Sequence, residues 1–140
     1  MRTILIVHAA ATVTMVGLIW FVQIVHYPLM ARVGREGFAR YAASHTRRTT
    51  WVVAPPMVVE AALAVVLALR PPVGASAVAA WVACGLVALI WLSTAFLLVP
   101  LHRRLAIGFD GDVHRRLVSL NWIRTVAWSV RGLLVLVWLS

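Results

Sequence analysis

Five histidines stand in this 140-residue chain, four of them placed where they could meet. His26 closes the first long apolar run, His45 precedes the second, His102 closes the third and His114 begins the fourth. If the runs are helices packed side by side, these four imidazoles converge on one layer. Imidazole is the commonest metal ligand among side chains, and bundles assemble such sites from facing helices. A transition metal or a haem is the cofactor such a layer would take. No H-x-x-x-H, E-x-x-H or C-x-x-C-H spacing occurs, so no particular metal is named. His8 lies eighteen residues before His26, about 27 Å along a helix, too far to share that site. The plain alternative for each histidine is an interfacial side chain at a helix end.

Glu60 is the sharper single residue. It lies about nine residues into its run, roughly 14 Å deep at helical rise. Counted from Leu117, Arg124 and Arg131 lie about seven and fourteen residues into the last run and bracket that depth. An ion pair between Glu60 and one of these arginines is one reading. The other makes Glu60 a metal ligand or proton acceptor, with the arginine binding an anionic or carbonyl-bearing substrate. His114, Asn121 and Thr125 fall at i, i+7 and i+11 on one helical face, a stripe interrupted by Val118. The candidate site is therefore Glu60, Asn121 and Arg124 for proton and substrate, with His26, His45, His102 and His114 for a metal. Pro55-Pro56 is expected to loosen the backbone ladder just before Glu60.

These residues must be carried by apolar elements. The chain is 63% hydrophobic and 12% charged, against roughly 45–50% and 25% in a soluble domain. Its length suits one domain. Apolar runs cover about 3–28, 50–69, 75–102 and 114–139, each near the ~20 residues that cross a bilayer. The expected fold is all-α, an antiparallel four-helix transmembrane bundle forming a single integral membrane domain. The first run is too long for the apolar part of a cleaved signal peptide. Cys84 is the only cysteine, so no intramolecular disulfide forms.

All thirteen basic residues are arginine. Five (Arg32, Arg35, Arg40, Arg47, Arg48) fall between runs one and two, and four (Arg103, Arg104, Arg115, Arg116) between runs three and four. Only Arg2 and Arg70 lie on the other side. The positive-inside rule then makes both Arg-rich loops cytoplasmic and both termini external, in the cell (inner or plasma) membrane. The net charge of +9 reads as topology and lipid-headgroup attraction, with no nucleic acid as partner. Residues 33–48 read as an amphipathic cytoplasmic segment that can extend the second helix inward. Residues 70–74 and 107–112 read as turns, with Asp112 the expected N-cap of the last helix. Asp110-Gly111-Asp112 lacks the remaining ligands of a calcium loop. No internal repeat is apparent.

Val99-Pro100-Leu101-His102-Arg103-Arg104-Leu105 followed by Asn121-Trp122-Ile123-Arg124-Thr125 resembles the paired signature of the anthrone-oxygenase-like family of small four-helix membrane proteins. Pro100, His102 and Leu105 match its first element, and Asn121, Trp122, Arg124 and Thr125 its second. The match spans about a third of the chain, and His102 stands where that family's pattern has Asn. The resemblance implies cofactor-poor oxygenation of a hydrophobic polycyclic or quinol-like molecule, with the last helix carrying the site.

Two functions compete. One is a membrane-embedded oxidoreductase or oxygenase, taking a hydrophobic small molecule from the lipid bilayer to a His-lined site near the cytoplasmic face. The other is a non-enzymatic accessory or permease-like bundle, a homo-oligomer whose polar residues stabilise packing.

Overall fold

A computed structural model describes residues 1–140. The chain is all-helical: α1 (Arg2–Met30), α2 (Arg35–Leu69), α3 (Ala77–Leu105) and α4 (Gly111–Leu139), with no strand. All four are long and apolar enough to cross a bilayer, which makes this a multi-pass membrane protein. Each helix packs on its two neighbours in sequence, and α4 closes the ring against α1. Side-chain pairs fix the antiparallel register. Thr12 meets Glu60, and His26 meets His45. Gln23 meets Asn121, His8 meets Arg131, and His45 meets His102. The loops after α1 and α3 thus share one end, rich in arginine, while both termini share the other.

Helix boundaries run further than the apolar runs suggest. From Arg35 onward the amphipathic segment extends the second helix inward, as its pattern allows, with Gly34 as the N-cap of α2. Its Phe38 and Ala42 are buried beneath Tyr27, Leu105 and Leu117. The turns that carry Arg35, Arg40, Arg47 and Arg48 therefore project past the apolar run. The N-cap of α4 is Asp110, not Asp112: its Oδ1 accepts from the amides of Asp112 and Val113 at 2.9 and 3.1 Å. Asp112 sits inside the first turn and pairs with Arg115. Between α2 and α3, Gly74 takes φ +83°, a conformation open to glycine, and Ser76 Oγ accepts from Ala79 N to start α3.

The cap makes a pH-dependent prediction. Two backbone amides hold the Asp110 carboxyl below the usual carboxylate range. Its contribution is present above the unfolded value near 3.8 and fades as pH falls through the lower folded value. Asp110→Ala is expected to lower the melting temperature at neutral pH and to leave a shallower loss of stability on acidification. A thermal scan across pH checks both.

Pro55 and Pro56 do not break α2, which is helical throughout. Their missing N–H groups free the carbonyls of Trp51 and Val52, residues that face outward. These lie more than two turns from Glu60, about 12 Å along the axis, so they do not join it. α1 and α3 instead carry wide π turns, at Val22–His26 and Thr94–Leu98. Each ends two residues before a proline, Pro28 or Pro100. The wider turn relaxes the clash between a proline ring and the preceding carbonyl. The two hairpins thus share a π-turn–proline device that residue identity does not reveal. π turns often mark functional sites, and here both border the same space.

Candidate functional site

The buried polar residues sort into distinct levels. Nearest the termini, Glu60 and Arg131 form an ion pair at 3.0 Å, with side chains 2% and 0% exposed. Arg131 Nε donates to Glu60 Oε1 at 3.0 Å, Thr12 Oγ1 donates to the same oxygen at 2.8 Å, and Trp128 Nε1 donates to Oε2 at 2.9 Å. Arg131 Nη1 donates to the carbonyl of Ala83, and Nη2 to His8 Nε2 at 3.0 Å. Because arginine only donates, His8 must accept through Nε2 and carry its proton on Nδ1. This one cluster ties all four helices together. It resolves the choice of partner: Glu60 pairs with Arg131 and not with Arg124. Its carboxylate is saturated by donors and lines no large cavity.

One level on, Asn121 Nδ2 donates to Gln23 Oε1 at 2.8 Å, and Gln23 Nε2 donates to the Val118 carbonyl at 3.2 Å. Val118, which interrupts the polar stripe in sequence, contributes through its backbone. Asn121 is fully buried and holds α1 to α4; like Glu60, it does not reach the cavity described next.

The histidines do come together at the Arg-rich end, though not as a four-ligand centre. His26 and His45 stack with ring centroids 4.1 Å apart and planes inclined by 21°. A metal binds imidazole in the ring plane, so two stacked rings cannot share one ion. His102 lies 5.9 Å from His45, centroid to centroid, and its Nε2 is 2.9 Å from the Tyr27 hydroxyl. His114 stands apart: its Nε2 donates to the Tyr27 carbonyl at 2.7 Å. That carbonyl lies at the end of α1, where helical partners run out, so His114 serves as a cap. No three His, Cys, Asp or Glu side chains are placed to hold a metal ion. The expected ligand layer is corrected accordingly, into a stack, a Tyr–His pair and a cap.

Beside the stack lies a cavity of about 510 Å3. His45, His102, Tyr27 and Arg124 supply polar groups to it, and Met15, Ile19, Val53 and Met57 much of its apolar wall. Arg124 is buried, with its guanidinium carbon 5.1 Å from the Trp128 ring centre. Its Nε has no hydrogen-bond partner, and neither of the molecule's salt bridges includes it. The sequence-derived candidates therefore divide. Arg124, His45 and His102 face the cavity and His26 backs it, whereas Glu60, Asn121 and His114 are structural. Tyr27 is the site residue that pattern reading misses. The one available signal was a hydroxyl between His26 and Pro28, at the level where histidines gather.

The chain matches no family model, no curated protein and no solved structure.

Proposed function

We propose that the protein is a membrane-embedded oxidoreductase or oxygenase whose lipid-soluble substrate occupies the cavity at Arg124, Tyr27 and His102. The observation that carries this reading is the buried Arg124 guanidinium, with no carboxylate against it and its Nε without a hydrogen-bond partner, beside a cavity walled in large part by apolar side chains. Ligand sites combine apolar walls with a few converging polar groups, in volumes of roughly 300–1,000 Å3. In this site Arg124 holds a carbonyl or phenolic oxygen and stabilises negative charge that develops on it. The Tyr27–His102 pair, 2.9 Å apart, exchanges a proton with the substrate, and the His45 ring lies next along the path to the Arg-rich end. By the arginine bias that end faces the cytoplasm.

The resemblance to the anthrone-oxygenase-like family suggests a concrete reaction. Loss of a proton from an anthrone methylene gives an enolate, with Arg124 as its counter-charge. The enolate carbon bonds to dioxygen, reducing it to a peroxide anion that takes the proton back from the Tyr27–His102 pair as a hydroperoxide. Loss of water then leaves the quinone carbonyl: one anthrone and one dioxygen give one anthraquinone and one water. Purified protein in lipid nanodiscs is expected to accelerate quinone formation from anthrone, read by absorbance, and Tyr27→Phe to slow it. A rate equal to that of protein-free nanodiscs would overturn the reaction.

The accessory-bundle reading keeps one supporting observation, the Glu60–Arg131 cluster, whose carboxylate accepts from Thr12, Trp128 and Arg131. It explains that level and leaves the Arg124 cavity without a role.

A further inference from the structure

We infer that the cavity takes the conjugate base of an acidic, single-tailed or fused-ring amphiphile, admitted sideways from the bilayer between α2 and α3. This rests on the ligand-site reading above and adds the occupant's charge and route.

The charge follows from where the acids are. The chain has four carboxylates, Glu36, Glu60, Asp110 and Asp112. None lines the cavity, while three arginines do: Arg47, Arg103 and Arg124. Glu60, the one buried carboxylate, is engaged by Arg131. Arg124 is thus a buried cation with no carboxylate against it, and such a charge is costly in a low-dielectric setting. A neutral oxygen would fill its hydrogen bonds and leave the charge uncompensated until the molecule loses a proton, as anthrone does on forming its enolate. An acidic head does both, in the forked geometry that guanidinium favours.

The route follows from which lining residues are exposed. Those from α1 and α4 are buried or half-buried. All exposed ones come from α2 (Ala43, Thr46, Arg47, Thr50) or α3 (Val99, Arg103). The mouth therefore lies between these two helices, with an arginine on either side. Arginines at helix ends reach to the headgroup level and gather anions there. Met15, Ile19, Val53 and Met57 line the same cavity as Arg124, so apolar surface adjoins the cation. A cavity of about 510 Å3 suits one drug-sized molecule, not a two-tailed phospholipid.

Two near-isosteric probes test this: 9-anthracenecarboxylate and the neutral 9-anthracenemethanol, each added to protein in phosphatidylcholine nanodiscs at neutral pH. Energy transfer from tryptophan reports binding. The acid is expected to bind at least about tenfold more tightly than the alcohol. Arg124→Met should abolish that preference while alcohol binding persists, which also shows that the variant is folded. The double variant Arg47→Gln/Arg103→Gln should slow association of the acid several-fold at low salt. Equal affinities, or a preference surviving in Arg124→Met, would overturn the anionic assignment and leave the ligand site standing. An unchanged association rate would overturn the route. Binding of neither probe would overturn the ligand-site reading itself.

Discussion

Arg131→Met is expected to destabilise the protein by about 3–5 kcal/mol, the usual cost of stripping one partner from a buried ion pair. The substitution leaves the Glu60 carboxylate, 2% exposed, with only Thr12 and Trp128 as donors. It also unties His8 and the Ala83 carbonyl, so α1 and α3 lose their shared anchor to α4. Glu60→Gln should cost a similar amount, because the guanidinium is then the uncompensated group. The double variant Glu60→Leu/Arg131→Met should fall nearer the wild type than either single one, since no isolated charge remains. Recovery will be partial, because the Trp128 indole and the Thr12 hydroxyl still lose their acceptor, at about 1–3 kcal/mol for a stranded buried group. Unfolding of detergent-solubilised protein by SDS titration measures all four forms. Single variants within about 0.5 kcal/mol of the wild type would show that this cluster does not hold the bundle.

Arg124→Met is expected to act with the opposite sign on stability. Its guanidinium has no carboxylate to abandon, so removing it relieves a buried charge and should leave the ligand-free melting temperature unchanged or raised. Its effect on chemistry should be large. Losing one group that stabilises a developing oxyanion costs about 10²–10³ in turnover, and anthrone oxidation should fall by that factor. Arg124→Lys should restore only part of it, because the ammonium keeps the charge and loses the fork. Two buried arginines on one helix, seven residues apart, thus differ in kind. A drop in stability for Arg124→Met as large as that for Arg131→Met would erase the distinction.

Much of the fold was legible because bilayer physics leaves few options. Runs of apolar residues near the length of a membrane crossing fix the number of helices, and their short connections make neighbours antiparallel. Helix ends were less legible. The 33–48 segment was legible as an inward extension of α2, but its start at Arg35 and the docking of Phe38 and Ala42 on the bundle were not. Asp110 was hidden as a cap by Asp112, two residues later, because either carboxylate can start a helix and only backbone geometry separates them. The π turns left no mark except the prolines that follow them.

The site was half legible. Buried charge is rare enough in membranes that Glu60, Arg124 and Arg131 stood out by residue type alone. Their pairing was not readable, since both arginines lie on one helix at neighbouring depths and rotation about its axis decides which meets Glu60. Helix-end depth also anticipated that His26, His45 and His102 come near one another. It could not give ring orientation, and orientation separates a metal centre from the stack of His26 on His45. His114 looked equivalent to the others, but faces the Tyr27 carbonyl.

A bilayer-soluble molecule in the cavity at Arg124 can be located by photolabelling. A diazirine-bearing fatty acid, irradiated with the protein in phosphatidylcholine nanodiscs, can be mapped by peptide mass spectrometry. Labels are expected on the inner wall, at Met15, Ile19, Val53 or Met57, and should be displaced by excess 9-anthracenecarboxylate and lost in Arg124→Met. Labels confined to outward-facing residues such as Trp51 and Val58, insensitive to competitor and to Arg124, would contradict that placement.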